Sequence, residues 1–403
     1  MHQSSLGSIC GIECYTDRYN NYMKILITGV HGFVGSNLVE ALKGEHTIYG
    51  LDIINPSKDG VEKTFSWEDL GEGVQEVQGS STSEATKSSA RVQGKIPKID
   101  AIIHLAGKAH DVKSDGRGQK EEYMKINCGL TQKIFDWYLA HPTAKKFIQF
   151  STVKSAADRV EGEFLTEECI PTPVGPYGES KIAAENYIIE KFAPEALKRP
   201  FHNFTDEDAV AFAEVQEPKG SKGSKSSSGS RIKVQGEKKV YIMRPCMIHG
   251  PGNKGNLNLL YGVVSKGIPW PLGAFENRRS FTSIGNLQEV IKGLLTKDTP
   301  SGIYHMGDDE ALSTNELIEV ICSALGKKAH IWNIPRGLMN SVAKIGDVLH
   351  LPLNTQRMQK LTENYVVSNA KIKAALGMKE MPVRTKDGLR ETIKSFAKTN
   401  QLR

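Results

Sequence analysis

Lys24-Ile-Leu-Ile-Thr-Gly29-Val-His-Gly32-Phe-Val-Gly35-Ser-Asn-Leu-Val-Glu-Ala-Leu42 is the stretch on which the fold turns. Ile25 to Thr28 is an apolar run of strand length, and Ser36 to Leu42 reads as a helix. Three glycines at spacings of three lie between them. A strand, a tight glycine turn and a helix start make an anion site, because free backbone N–H groups and the helix dipole converge there. Gly29 permits the turn, Gly32 lets a pyrophosphate approach the backbone, and Gly35 lets helix and strand pack closely. A second strand, Thr47 to Leu51, ends at Asp52, whose carboxylate is placed to accept from both hydroxyls of an adenosine ribose. It would repel a 2′-phosphate, and no Arg follows it directly, which favours NAD over NADP. Lys58, the nearest downstream cation, could compensate only if its loop folded back.

Outward from this stretch, 403 residues allow one large α/β domain plus a smaller one. Hydrophobic residues at 39% and charged ones at 24% suit a globular enzyme. The formal charge is +6, part of it in a Lys/Ser/Gly run, so no nucleic-acid partner is expected. No apolar run approaches the roughly 18–20 residues that span a bilayer, so no membrane partner is expected. The N-terminus lacks a basic region followed by an apolar core, which argues against secretion. Cysteines at 10, 14, 128, 169, 246 and 322 complete no zinc pattern, so free thiols in a reducing cytoplasm, and no metal, are expected. Residues 1–22 are polar and aperiodic, and are expected to be a disordered leader.

Along the chain, about 71–95 and 194–238 read as low-complexity loops, the second holding the basic tract Gly220 to Ser230. Between them come strands at Ile99 to His104 and Lys146 to Phe150, and helices at Glu121 to Leu139 and Glu179 to Phe192. The sheet resumes at Lys239 to Pro245. Strands separated by helices imply a Rossmann-type, doubly wound parallel α/β sheet with right-handed crossovers. Residues 23–250 form that expected cofactor domain. From 251 to 403 the elements shorten, reading mostly as a smaller substrate-binding lobe with segments returning to the sheet. Ser313-Thr-Asn-Glu316 is a capping box opening a helix to about Leu325, with further helices at Asn369 to Leu376 and Asp387 to Phe396.

Three features carry chemistry. Tyr177 and Lys181, four residues apart at a helix start, share one face. A neighbouring ammonium favours the phenolate, so Tyr177 is a candidate general base and Lys181 a candidate ribose ligand. Such a pair also arises by chance on surfaces. Ser151-Thr152 ends a strand, where a hydroxyl can bind the oxygen whose proton Tyr177 removes. Arg278-Arg279 offers forks suited to a diphosphate, or a merely solvated basic pair.

Joined in order, these pieces resemble the extended short-chain dehydrogenase/reductase family, in particular its nucleotide-sugar epimerases and reductases. The matches are Gly29-x-x-Gly32-x-x-Gly35, Asp52, His104-Leu-Ala-Gly107, Asn127, Thr152, Tyr177 and Lys181, then Arg244-Pro245, His249-Gly-Pro, Gly255-Asn256-Leu257 and Arg279-Ser-Phe-Thr. The resemblance implies that Gly29, His31, Gly32, Phe33, Val34, Gly35, Asp52, Leu105, Ala106, Gly107, Asn127 and Pro245 hold NAD, with Tyr177 and Lys181. It implies that Thr152, Asn256 and Arg279 hold a UDP-sugar, and that the protein is a homodimer joined through the helices at Glu121–Leu139 and Glu179–Phe192. Members that make 4-keto-6-deoxy sugars carry Asp-Glu directly after the triad hydroxyl. Here Val153 and Lys154 stand there, which argues against 4,6-dehydration.

The leading expectation is a UDP-hexose or UDP-N-acetylhexosamine 4-epimerase working through a transient 4-keto sugar. A UDP-4-keto-6-deoxy-hexosamine 4-reductase would use the same triad. A non-catalytic nucleotide sensor is a reading of a different class, against which the intact hydroxyl–Tyr–Lys set argues.

Overall fold

The structure, a computed structural model, describes residues 22–71, 95–108, 119–193, 238–253, 255–349 and 354–401. The expected leader, apart from Tyr22, and nearly all of both low-complexity stretches lie outside the described residues. The strands are β1 (Lys24–Thr28), β2 (Thr47–Leu51), β3 (Lys63–Phe65), β4 (Ala101–His104), β5 (Lys146–Phe150), β6 (Lys239–Pro245), β7 (Met247–His249), β8 (Phe281–Ser283) and β9 (Gly302–Met306). Seven form one sheet in the order β3-β2-β1-β4-β5-β6-β9, and β7 pairs with β8. The pairings of β1 with β2 and β4, β2 with β3, and β4 with β5 are all parallel. Ile25, Leu26, Ile27, Ile102 and Ile103 are wholly buried. A continuous apolar run, rather than an alternating one, is what a parallel sheet covered on both faces requires.

The described residues divide into two compact units. The first comprises 22–71, 95–108, 125–149 and 238–241. Its strand order reverses between β1 and β4, and an open α/β sheet places its ligand at the carboxyl ends of strands at such a point. Helix α1 (Phe33–Leu42) follows β1, burying Leu38, Val39 and Leu42. It begins three residues earlier than its apolar pattern indicates, because Gly35 sits inside its first turn. The expected helix at 121–139 is three pieces: α2 (Gln119–Tyr123), a π-helical turn (Met124–Gly129) and α3 (Leu130–Ala140). The π turn was not legible in the apolar spacing.

The second unit comprises 119–124, 150–193, 242–253, 255–349 and 354–401. It holds α4 (Val153–Ala156), α5 (Gly175–Phe192), α6 (Asn256–Ser265), α7 (Ile284–Thr296), α8 (Thr314–Ala324), α9 (Arg336–Leu349), α10 (Thr355–Thr362), α11 (Ala370–Leu376) and α12 (Thr385–Gln401). The capping box at Ser313 is present: Ser313 Oγ accepts from Glu316 N, and Glu316 Oε2 accepts from Ser313 N at 2.9 Å. Its core gathers Leu257, Phe281, Leu317, Ile321, Leu389 and Ile393. Sequence reading did not single out α7, α9 and α10.

Candidate active site

In the first unit, Gly29 has φ +69°, and an added Cβ would lie 3.0 Å from Ala106 N. Gly29 is therefore fixed twice, by a left-handed backbone and by the close approach of the turn after β4. A Cβ on Gly35 would lie 2.9 Å from Val30 Cα, so this glycine brings α1 against the chain leaving β1. At Gly32 a Cβ would meet only the Gly29 carbonyl, at 3.1 Å. Gly32 caps α1 without any side-chain hydrogen bond, so the amides of Phe33, Val34 and Gly35 open the helix with its positive dipole end. That cradle fits a pyrophosphate.

Asp52 is tied to the same loop. Its Oδ2 accepts from the His31 amide at 3.1 Å, and its Oδ1 from the Ile53 amide at 2.8 Å. The carboxylate is thus oriented by backbone before any ribose arrives. Lys58 does fold back: its Nζ donates to Ser36 Oγ at 2.8 Å. This meets the condition under which a cation could offset the repulsion between Asp52 and a 2′-phosphate.

The Leu105–Gly107 turn hangs on a buried polar chain. Thr28 Oγ1 accepts from Leu105 N at 3.1 Å and Ala106 N at 3.0 Å. With both lone pairs used, its hydroxyl proton points to His104 Nδ1, 2.6 Å away. That assigns the ring proton to Nε2, which faces Thr131 Oγ1 at 3.0 Å. Thr131 Oγ1 in turn donates to the Asn127 carbonyl at 2.7 Å. Asn127 Oδ1 accepts from Lys108 N at 2.7 Å, and its Nδ2 donates to Lys108 O at 3.2 Å. Asn127 therefore fixes the backbone just after Gly107. Sequence reasoning quoted His104 in a motif but gave Thr28, His104 and Thr131 no role.

In the second unit, Thr152 caps α4, its Oγ1 accepting from Lys154 N at 3.3 Å. The Thr152 hydroxyl lies beside the Tyr177 phenol and pulls its pKa down. Tyr177 lies in the first turn of α5, with its ring edge-on to Tyr123 at 6.0 Å between centroids. A Cβ on Gly178 would lie 2.7 Å from the Lys154 carbonyl, so this glycine lets α5 press against α4 and brings Tyr177 to Thr152. Sequence reasoning gave Gly178 no role, and its place directly after the tyrosine is the signal that could have found it.

Lys181 is buried, and its Nζ donates to the Phe150 carbonyl at 3.1 Å. Burial lowers its pKa to about 8, against an upward pull from Glu185. Burial raises the Tyr177 pKa, which the Thr152 hydroxyl opposes. The expectation that Lys181 lowers the Tyr177 pKa is corrected here: in the polypeptide itself desolvation dominates, because the phenol is enclosed and the ammonium is directed at a carbonyl.

Glu185, one turn beyond Lys181, is wholly buried and was missed. Its carboxylate accepts from Arg244 Nε at 3.1 and 3.0 Å and from Arg244 Nη2 at 2.5 Å. It also accepts from Ser155 Oγ at 2.5 Å and from Ser151 Oγ. The signal was its i+4 spacing from Lys181 on a buried face. Pro245 ends β6, buried. Asn256 opens α6, and its side chain lies outside the described residues. Arg279 donates from Nη1 to the Lys360 carbonyl at 2.9 Å and pairs with Glu363 at 3.5 Å. Arg278 diverges from it, lining a cavity of about 430 Å³ with Glu310, Arg384 and Arg390. The described cysteines are free thiols. No group of three metal-ligating side chains occurs among the described residues.

Residues 25–201 match the model of the NAD dependent epimerase/dehydratase family. It is 26% identical to a UDP-glucose 4-epimerase of Vibrio cholerae over 93% of this chain and 96% of that protein. Among solved structures it resembles MoeE5 in complex with UDP-glucose and NAD, at 18% identity and a TM-score of 0.60, covering 94% of this chain and 99% of that one. It also resembles a UDP-glucuronic acid 4-epimerase from Bacillus cereus in complex with NAD, at 18% identity and a TM-score of 0.58, covering 93% and 99%. At that identity the structural likeness establishes the fold.

Proposed function

We propose that this protein is an NAD-dependent nucleotide-sugar 4-epimerase. The observation that carries the reading is the placement of Thr152 beside the Tyr177 phenol, with Lys181 buried four residues further along α5. The long relative from Vibrio cholerae, a UDP-glucose 4-epimerase, supports a UDP-hexose substrate. The glycine cradle of Gly29, Gly32 and Gly35, the anchored Asp52 and the Leu105–Gly107 turn would hold NAD, with His31, Phe33, Val34, Asn127 and Pro245 around it. Bound there, NAD supplies a hydride acceptor that later returns the hydride. Tyr177 takes the proton of the sugar C4 hydroxyl and gives it back after the keto sugar has turned its other face. Thr152 holds the same oxygen, stabilising charge as it develops. Lys181 would bind the ribose hydroxyls of the cofactor. Asn256 and Arg279 would hold the diphosphate; to do so Arg279 exchanges its contact with Glu363 for phosphate oxygens.

No electron or proton is gained or lost over the cycle. Val153 and Lys154 follow Thr152 in place of a carboxylate pair, which keeps water elimination out of the scheme. The relatives do not favour the 4-keto-reductase. The proposal includes a cytoplasmic location, a role in polysaccharide precursor supply, and a homodimer meeting on α2, α3 and α5. Ile182 and Tyr187 are only half-buried on α5, which supports a helix face open to a second copy. The deciding experiment follows interconversion of UDP-glucose with UDP-galactose, and of their N-acetyl forms, while recording absorbance of reduced nicotinamide. Interconversion with no net absorbance change is expected. Stoichiometric consumption of reduced cofactor on a UDP-4-keto sugar would assign the reductase instead.

A further inference from the structure

Nine of the fifteen large apolar side chains exposed among the described residues fall in two segments of the second unit, 259–268 and 332–349. Most lie on α9. Leu338, Val342, Ile345 and Leu349 recur at i, i+4, i+7 and i+11, so they form one stripe, and they are 58%, 39%, 54% and 61% exposed. The adjoining apolar edge of α9, with Met339 and Ala343, packs on Leu272 and Met358. The stripe is therefore surplus to folding. With Val348 and with Trp332, which is 56% exposed, it presents on the order of 500 Å² of apolar surface, the upper range for a monomer's largest patch.

The charge around it is one-sided. The segments 257–273, 325–349 and 354–362 contain seven Lys and Arg and a single acid, Asp347. Asp347 is engaged in accepting from Thr355 N at 3.0 Å and from Thr355 Oγ1. These segments hold together: Trp270 bridges Ile331, Leu272 bridges Asn333, and Lys327 Nζ donates to the Ser265 carbonyl at 2.6 Å. This one region thus carries a net charge as large as the formal +6 of the whole chain.

We infer that α9 and Trp332 form a docking surface for a lipid bilayer bearing anionic headgroups. A helix lying in the interface places apolar side chains among the acyl chains, a tryptophan at the boundary, and Lys and Arg toward anionic headgroups. No helix among the described residues is long and apolar enough to span a membrane, and interfacial docking requires none. A second copy is the poorer occupant, because an isologous contact through this face would oppose two strongly basic surfaces. The surface is independent of the catalytic reading and would bring the enzyme to a membrane without changing its chemistry.

The test is co-sedimentation of the full chain with vesicles of neutral phosphatidylcholine, or of phosphatidylcholine with about one third phosphatidylglycerol. Pelleting with the anionic vesicles alone is expected, weakening as salt rises. Ile345→Glu and Leu338→Glu should each reduce partitioning at least about tenfold, equivalent to some 1.4 kcal/mol. Both positions are exposed, so thermal midpoint and NAD binding should be unchanged. Lys327→Glu with Lys328→Glu should reduce partitioning too. Absence of pelleting at low salt overturns the inference. So does undiminished binding by Ile345→Glu, which would reduce the contact to charge alone. A dimer that Ile345→Glu dissociates, with no vesicle binding, would assign the face to a second copy.

Discussion

The Arg244 guanidinium and the Glu185 carboxylate face each other wholly inside the second unit, with Arg244 1% and Glu185 0% exposed. The carboxylate also receives both Ser151 and Ser155, which flank Thr152 at the end of β5 and the start of α4. One buried carboxylate thus ties β6, α5 and the Thr152 turn together.

Removing one partner of such a pair leaves the other charged and buried, which costs about 3–5 kcal/mol. Glu185→Ala should therefore lower the thermal midpoint by many degrees, whereas Glu185→Ala with Arg244→Met should recover a large part of the loss. Thermal unfolding of the single and double variants measures this. Equal destabilisation in both would show that the pairing is not the source.

Lys181 gives stability a pH dependence of definite sign. Burial depresses its folded pKa from 10.5 to about 8. Below about pH 8 the ammonium is charged in both states and the full burial penalty applies. Between about 8 and 10.5 the folded protein has released the proton while the unfolded chain keeps it, so this contribution rises with pH. Lys181→Met should remove the slope and raise stability at pH 7, by up to about 3 kcal/mol less the lost hydrogen bond to Phe150, while abolishing turnover. Denaturant unfolding at pH 7 and pH 9.5 compares the two proteins.

Tyr177→Phe should bind NAD with unchanged affinity and lose about 10²–10⁴-fold in turnover, the usual span for a positioned acid/base group. Cofactor titration and steady-state kinetics separate the two effects. Turnover near that of the parent protein would remove Tyr177 from the mechanism.

Gly178→Ala tests positioning without touching the chemistry. Its Cβ would lie 2.7 Å from the Lys154 carbonyl, so α5 must withdraw from α4 and carry Tyr177 away from Thr152. Turnover should fall about 10²-fold, as expected for a misplacement near 1 Å, with little change in NAD affinity. Parallel measurement of kcat and cofactor affinity checks it.

Cofactor choice rests on Asp52 and Lys58. A carboxylate within about 4 Å of a 2′-phosphate meets like charge, worth roughly 1 kcal/mol in water and more when desolvated. NAD should be preferred over NADP by at least about tenfold. Because Lys58 folds back to Ser36, Lys58→Ala should widen the preference, and Asp52→Ala should narrow it. Fluorescence titration of both cofactors decides, and equal affinity in the parent protein would sink this account of Asp52.

The sequence by itself determined the fold class and the order of the chemistry. Glycine spacing, an apolar strand before it, an acid at the end of the next strand, and a Tyr and Lys one helical turn apart are local signals. Each is written within a few residues, because strand, turn and helix start obey local backbone sterics and local hydrogen bonding. The Ser313 capping box was legible for the same reason. What only the tertiary structure decided depends on residues far apart in the chain: the Thr28–His104–Thr131 relay beneath the Leu105 turn, the burial of Glu185 against Arg244, the return of Lys58 to Ser36, and the divergence of Arg278 from Arg279. The Tyr177 pKa belongs here as well, since its direction is set by how completely other segments desolvate the phenol rather than by the lysine four residues on. The same holds for α9. Its apolar periodicity is in the sequence, but only packing shows which edge meets Leu272 and which is left to the solvent.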